Sequence, residues 1–96
     1  MVQYLVMYSV QTGREHLHDD WWQRIGREFW QKQPGFAGIQ RYSTLIGSGP
    51  DVVWEIDFTS GRDLIAALER SEAKETLEEF EHMVDHLMTK IIVPME

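Results

Sequence analysis

The 96-residue chain contains no cysteine and no asparagine. Without cysteine there can be no disulfide, no thiolate metal ligand and no cysteine nucleophile. Without asparagine there is no N-glycosylation site. No apolar run approaches the length of a membrane span, and the opening segment MVQYLVMYSV lacks the basic residues of a signal peptide. We therefore expect a cytoplasmic protein.

Basic residues are scarce in the second half of the chain, which carries most of the net charge of −7. Residues 49–96 hold four basic and twelve acidic groups, against five and four in residues 1–48. An acidic surface repels phosphate backbones and anionic lipids, so we expect neither a nucleic-acid nor a membrane partner. The 43% hydrophobic and 11% aromatic content is typical of a globular chain, and we expect one domain over residues 1–96.

Segments rich in β-branched and aromatic residues alternate with segments of helical periodicity. The predicted strands are 2–10, 36–46, 51–58 and 87–93. The predicted helical regions are 12–32 and 60–86, the second with a bend near Ser71. TGRE and SGRD begin these regions with the spacing of a capping box, which pairs Thr12 with Glu15 and Ser60 with Asp63.

The resulting order, β-α-β-β-α-β, predicts an α+β protein of the ferredoxin-like class. We expect a four-stranded antiparallel sheet with both helical regions on one face. The first and third strands should be central, and we expect them to be parallel to each other. Neither face of the first strand is strongly polar, so the bare face of the sheet should be covered by a second copy of the chain. Glu55 and Asp57 imply that part of this homodimer interface is wet or paired.

The segments VQYLVMYSV, QPGFAGIQRY, VVWEIDFTSGRDLIAALERSE and VDHLMTKIIVPME resemble the dimeric α+β barrel superfamily over nearly the whole chain. The closest local matches are PGF and EIDFTS, which are similar to the EthD-like and antibiotic-biosynthesis-monooxygenase-like families. EthD-like chains often carry a histidine late in the first helix, where REFWQKQP has none. Small polyketide cyclases carry a catalytic histidine where this chain has SEAKE. Neither family mechanism transfers residue by residue.

The first helix contains two histidines with different predicted environments. At about 100° per residue, Leu17, Trp21, Ile25 and Phe29 form one apolar face. His18 falls within that apolar face, whereas the preceding histidine lies among polar residues, so the two cannot share a metal ion. His18 is then either a core histidine satisfied by one hydrogen bond or the base of a pocket, since imidazole exchanges protons near neutral pH.

The aromatic residues have two interpretations. They can simply fill a core, or they can line a pocket between the sheet and the helices. Its predicted lining is aromatic: Tyr4, Tyr8, Trp22, Phe29 and Trp54. The resemblance implies that Phe58 faces the helices, so we expect Phe58 and Tyr8 to lie near His18. We expect His86 at the mouth of the same pocket.

Two further groups have the spacing of a site. Glu78, His82 and His86 recur every four residues, as zinc ligands can, but the predicted buried face of that helix directs His82 outward. We therefore favour a solvated surface and expect no metal. Arg41 could bind a substrate carboxylate or pair with Glu55 or Asp57 across strands, and we favour the ion pair.

The resemblance implies a cofactor-free homodimeric enzyme that oxygenates, cyclises or isomerises a small aromatic or polyketide-like compound. His18 would be the base and Tyr8 its hydrogen-bonding partner or proton donor, and Trp22, Trp54 and Phe29 would hold the ring and exclude water. The alternatives are a non-catalytic binding or interaction protein and, with His18 or His86 as axial ligand, a haem-handling protein. All three use one fold, which cannot distinguish them.

Overall fold

The computed structural model describes residues 1–95. Glu96, the last residue of the predicted domain, lies outside the described residues. The strands are β1 (Val2–Val10), β2 (Phe36–Ser43), β3 (Val52–Phe58) and β4 (Val84–Ile92). The helices are α1 (Glu15–Trp21), α2 (Arg27–Gln31), α3 (Gly61–Glu69) and α4 (Ser71–Glu81), with a π-helical segment, Trp22–Gly26, between α1 and α2. Within the described residues, the helices are too short or too polar to cross a lipid bilayer.

The strands form one sheet in the order β2-β3-β1-β4, and every neighbouring pair is antiparallel. The predicted ferredoxin-like α+β arrangement is confirmed, but the predicted parallel pairing of the first and third strands is wrong. The helical connection makes β1 and β2 run the same way, and β3 returns between them through a short loop. Tyr8 therefore pairs with Val52, and Phe58 pairs with Val2 at the opposite end of the sheet.

One face of the sheet packs against the helices and the other is not covered by them. Side chains alternate along a strand, so Tyr4, Val6 and Tyr8 of β1 share the buried face with every second residue of β3. On the outer face, the Gln3 amide donates to the carboxylates of Glu55 (3.1 Å) and, on the same strand, Asp57 (2.9 Å). The outer apolar residues are Leu5, Met7, Tyr42, Val53, Met88 and Ile92.

The first helical region departs from its predicted start and face. The Arg14 N–H donates to the Gln11 carbonyl in a turn, so α1 begins at Glu15 with Arg14 as its N-cap and no side-chain cap. The predicted capping box at Thr12 is therefore wrong. The π-helical segment adds one residue to a turn and rotates the residues that follow it. Leu17, predicted on the apolar face, is 53% exposed.

The second helical region begins as predicted. The Asp63 N–H donates to the Ser60 hydroxyl at 3.2 Å, which confirms this cap, and the bend near Ser71 is confirmed by an extended Arg70 between α3 and α4. The region ends earlier than predicted. The Met83 carbonyl accepts from the backbone N–H of Gln11, the residue after β1, and β4 begins at Val84 rather than at 87.

Candidate functional site

The centre of the candidate site is a hydrogen bond between β1 and α1. The Tyr8 hydroxyl oxygen lies 2.6 Å from Nε2 of His18, and both residues are buried, with exposures of 0% and 2%. Tyr8 points inward because its strand position alternates with solvent-side residues, and His18 points down from the first turns of α1. The hydrogen bond predicted between them is confirmed.

The partners of the imidazole define where its proton lies. Burial lowers the pKa of His18, so the ring is neutral near pH 7. Its Nδ1 lies 3.3 Å from a carboxylate oxygen of Asp19, which can only accept. We therefore assign the proton to Nδ1, which leaves Nε2 to accept from the Tyr8 hydroxyl. Asp19 itself is largely exposed, so its contribution is weakened by water.

The shifts of both groups link stability to pH. The pKa of His18 is below its ordinary value of 6.5, so the folded state resists protonation that the unfolded chain accepts. Stability is thus complete above that pH and falls as the pH decreases through it. Burial raises the pKa of the Tyr8 phenol far above its ordinary value of 10.0, an effect that the charge of Arg41 partly opposes. Alkaline ionisation of the unfolded phenol therefore also costs stability.

Aromatic rings enclose the Tyr8–His18 pair. The Tyr8 ring makes edge contacts with Trp54 (5.4 Å between centroids) and Phe80 (4.8 Å). Trp21 stacks on Phe80 at 4.9 Å. The predicted apolar face of the first helix includes Trp21, and the predicted buried face of the second helical region includes Phe80, but neither residue was predicted in the candidate site. Their periodicity identifies them as core residues, but it does not show that two helices bring them to the same histidine.

The predicted pocket is filled by these side chains. Three cavities of about 160, 240 and 230 Å³ within residues 1–95 are lined by residues other than Tyr8 and His18. The indole N–H groups of Trp21 and Trp54 are both buried without a hydrogen-bond partner. The Trp54 N–H is close enough to the Tyr8 oxygen to help lower its pKa, although it is outside hydrogen-bond geometry. A substrate can reach the pair only when a covering side chain moves.

Three of the predicted lining residues belong to a second aromatic group at the other end of the sheet. Tyr4 lies 5.7 Å and Phe29 5.0 Å from Trp30, measured between ring centroids. Phe58 also contacts Trp30, at 6.1 Å. The expectation that Phe58 lies near His18 is wrong, because β3 runs antiparallel to β1. Of the predicted aromatic lining, Tyr8 contacts the histidine, Trp54 contacts Tyr8, and Trp22 contacts Trp54.

His86 does not lie at the mouth of a pocket. It is exposed, with a positive φ of 57°, where the register of β4 against β1 shifts between Met7 and Ser9. The predicted helical stripe of Glu78, His82 and His86 is also wrong, because α4 ends at Glu81 and His86 lies in β4. Across residues 1–95, no group of three or more acidic or histidine side chains is arranged to hold a metal ion.

Arg41 is the basic residue whose charge acts on both members of the buried pair. It stands opposite Trp54 in the register, and its guanidinium carbon lies 4.5 Å from the centroid of the Trp22 ring. The predicted ion pair with Glu55 or Asp57 is wrong, because those carboxylates occupy the other face of the sheet. The contact with Trp22 is a cation–π interaction.

No protein-family model matches the sequence, and a search of curated proteins gives no match. Solved structures match it over almost its full length. SnoaB, a cofactor-independent oxygenase from Streptomyces nogalater, has a TM-score of 0.82 at 13% identity, with 99% of this chain and 93% of that chain covered. An EthD family protein from Bacillus halodurans has a TM-score of 0.74 at 16% identity, with 99% and 100% covered. A DABB family protein with a ferredoxin-like fold, from Mesorhizobium loti, has a TM-score of 0.81 at 7% identity, with 99% and 97% covered. The chain has a ferredoxin-like fold.

Within this ferredoxin-like fold, the chemistry available at the site is proton transfer. His18 is a neutral base, and Tyr8 can pass its own proton to Nε2 while its oxygen accepts another. The surrounding rings exclude water, which strengthens charge interactions inside the site. Arg41 supplies a positive charge within reach of both groups.

Proposed function

We infer that the chain is a cofactor-independent enzyme that transfers a proton on a small aromatic or polyketide-like substrate bound between the sheet and the helices. The observation that carries this proposal is the buried 2.6 Å contact between Tyr8 and His18. A short hydrogen bond between a neutral base and a phenol is a way to move a proton without a cofactor. A cofactor-independent oxygenase has the same fold, so the fold can accommodate this reaction class.

The proposed step begins with removal of a substrate proton. As the Tyr8 oxygen accepts that proton, its own proton moves to Nε2 of His18, and the substrate is left as an anion. The Asp19 carboxylate stabilises the imidazolium through Nδ1. In an oxygenation, the substrate anion reduces molecular oxygen. In a cyclisation it attacks another carbon of the same substrate, and in an isomerisation it regains a proton at a different atom. Trp22 and Trp54 hold the ring of the substrate.

We also infer that the active form is a homodimer assembled through the outer face of the sheet. That face has exposed apolar side chains, including Met88 at 55% and Tyr42 at 47% exposure, beside the polar group of Gln3, Glu55 and Asp57. Native mass spectrometry measures the assembly directly, and a monomer at micromolar concentration would contradict this inference. A cytoplasmic location stays a prediction.

Proton exchange tests the proposal without knowledge of the natural substrate. We expect the protein to accelerate exchange of the α-protons of 2-tetralone in D₂O, followed by proton NMR. His18→Gln and Tyr8→Phe should each lower the rate of exchange by about 100-fold or more, the usual contribution of general acid–base catalysis. The matched control is His16→Gln, which changes an exposed histidine on the same helix.

Full exchange by His18→Gln, with its fold intact by circular dichroism, would remove His18 as the base. Loss of exchange in His16→Gln as well would attribute the effect to the helix rather than to the buried pair. An oxygen electrode run on 1-naphthol separates oxygenation from proton transfer alone, because only oxygenation consumes oxygen.

A second candidate is a non-catalytic ligand-binding protein. The observation that favours it is the complete burial of Tyr8 and His18 beneath Trp21, Trp54 and Phe80, which is also the arrangement of a satisfied core. In this case a ligand that copurifies with the protein leaves with its mass unchanged after incubation in air. Conversion of that ligand to a product would exclude this candidate.

A further inference from the structure

Among residues 1–95, no side chain accepts a hydrogen bond of good geometry from Arg41, although the guanidinium is close enough to the Tyr8 oxygen to oppose the rise in its pKa. Its guanidinium carbon lies over the Trp22 ring at 4.5 Å from the centroid, a contact that uses none of its N–H groups as a hydrogen-bond donor. Its side chain is exposed on β2, an edge strand of the sheet. Among residues 1–95, no carboxylate forms an ion pair with it. The contact with Trp22 restrains the group, which lowers the entropy cost of binding a planar anion.

A cavity of about 230 Å³ borders this guanidinium and is lined by Arg41, Tyr42, Ser43 and Val52. Val52 is the residue that pairs with Tyr8 in the sheet, so the cavity lies at the end of the sheet that carries the buried pair. Binding sites for drug-sized ligands measure roughly 300–1,000 Å³. The smaller volume fits a compound with a single aromatic ring.

The charge of Arg41 also extends to the buried pair. Burial raises the pKa of the Tyr8 phenol, and the charge of Arg41 opposes that rise. Burial lowers the pKa of the His18 imidazole, and the charge of Arg41 adds to that decrease. Both groups therefore lie within the field of Arg41. The chain as a whole has a net charge of −7, so an unpaired cation beside a cavity is a local exception to a surface that repels anions. An anion bound here would be held close to the groups that transfer a proton.

We propose that Arg41 selects a small aromatic anion, a single ring bearing a carboxylate or phenolate, as the ligand of this cavity. The anionic group binds the edge of the guanidinium, and the Ser43 hydroxyl is placed to donate to it. The ring lies along Val52, which shares the face of the sheet that carries Arg41. As a substrate class this rests on the proposed proton transfer by Tyr8 and His18, but binding of the anion does not depend on turnover.

Salicylate and salicylamide form a matched pair of probes, since they contain the same aromatic ring, have nearly the same size and differ in charge. Titrations of the purified protein are followed by ¹⁵N NMR of the tryptophan indole N–H groups and of the Arg41 Nε–H. We expect salicylate to bind at least about tenfold more tightly than salicylamide, because hydrogen bonds to charged groups are the stronger ones. Arg41→Gln should lower the affinity for salicylate to that for salicylamide.

Arg62→Gln is the matched control, because it removes one positive charge at the start of α3, which follows the opposite end of β3. It should leave salicylate affinity unchanged. Equal affinity for the two probes, equal losses in Arg41→Gln and Arg62→Gln, or no binding of either probe at millimolar concentration would each overturn the proposal. Arg41→Lys, which keeps the charge but not the planar edge, should recover only part of the affinity.

The outcome is separable from that of the exchange experiment. Anion selectivity that depends on Arg41, together with full proton exchange in His18→Gln, would retain the binding site and remove the proposed reaction. Loss of exchange in His18→Gln without any anion selectivity would retain the reaction and remove Arg41 as the residue that selects the substrate.

Discussion

A double-mutant cycle on Tyr8 and His18 tests the central contact most directly. Tyr8→Phe removes one oxygen and keeps the ring that packs against Trp54 and Phe80. Nε2 of His18 is then a buried acceptor without a donor. A stranded buried polar group costs roughly 1–3 kcal/mol, so we expect a loss of about 2 kcal/mol. For a domain of this size that lowers the Tm by roughly 8–16 °C.

The reciprocal change, His18→Leu, strands the Tyr8 hydroxyl and should also cost about 2 kcal/mol. The double variant strands neither atom. It should therefore cost much less than about 4 kcal/mol, the sum of the two single variants, and the difference is the coupling energy of the cycle. Two residues that did not touch would be additive within roughly 0.5 kcal/mol.

Urea unfolding, followed by tryptophan fluorescence at one fixed protein concentration, measures all four species. The fixed concentration matters because association with a second copy would add to the apparent stability. A control cycle pairs Tyr8→Phe with His16→Leu, which lies on the exposed side of the same helix, and it should be additive. Additivity of the Tyr8→Phe and His18→Leu cycle would refute the hydrogen bond.

Three further predictions concern the packing, the caps and the pH dependence. Gly26→Ala should be destabilising, because the added Cβ would lie 2.8 Å from a buried tryptophan ring. Overpacking costs about 1–3 kcal/mol, which exceeds a gain in helix propensity of at most about 1 kcal/mol. Thermal unfolding measures the effect, and Gly61→Ala, with open space around its Cβ, is the control. Ser60→Ala should cost about 1 kcal/mol and Thr12→Ala close to nothing, because only the serine caps a helix in the structure. The wild type should lose stability as the pH falls below about 6.5, and His18→Gln should lose less over that range in urea titrations.

Each of these has a clear contrary result. Equal Tm values for Gly26→Ala and the wild type would mean that the ring moves away without cost. Equal losses from Ser60→Ala and Thr12→Ala would restore the capping box predicted at the first helix. An acid limb that is the same in His18→Gln and the wild type would assign that limb to the carboxylates instead.

The order of elements could be predicted because it depends on local signals. The strand residues of 2–10 and 51–58 and the cap at Ser60 are all contained within short segments of sequence. The direction of β3 relative to β1 depends on how the chain crosses the sheet, and assuming a parallel pair moved Phe58 to the wrong end. One error of topology thus placed Phe58 wrongly in the predicted site.

The first helix shows a different limit. A projection at a constant angle per residue cannot represent the π-helical segment Trp22–Gly26. The structure buries the adjacent residues Trp21 and Trp22 together. Both Leu17 and His18 precede that segment; the predicted burial of His18 and its contact with Tyr8 were correct, whereas the predicted burial of Leu17 was wrong. Arg41 was assigned to an ion pair because sequence alone does not show which face of the sheet carries it.

The two edge strands share a property that bears on solubility during folding. The register of β2 shifts between Phe36 and Gly38, and that of β4 shifts opposite Met7 and Ser9, whereas the inner pair of strands is regular over seven residue pairs. Bulges twist an edge and interrupt its row of free N–H and C=O groups. A strand from another chain therefore cannot pair along a long, flat edge, so edge-to-edge aggregation is disfavoured. The homodimer proposed through the face of the sheet would instead depend on side chains rather than on backbone groups to select the partner.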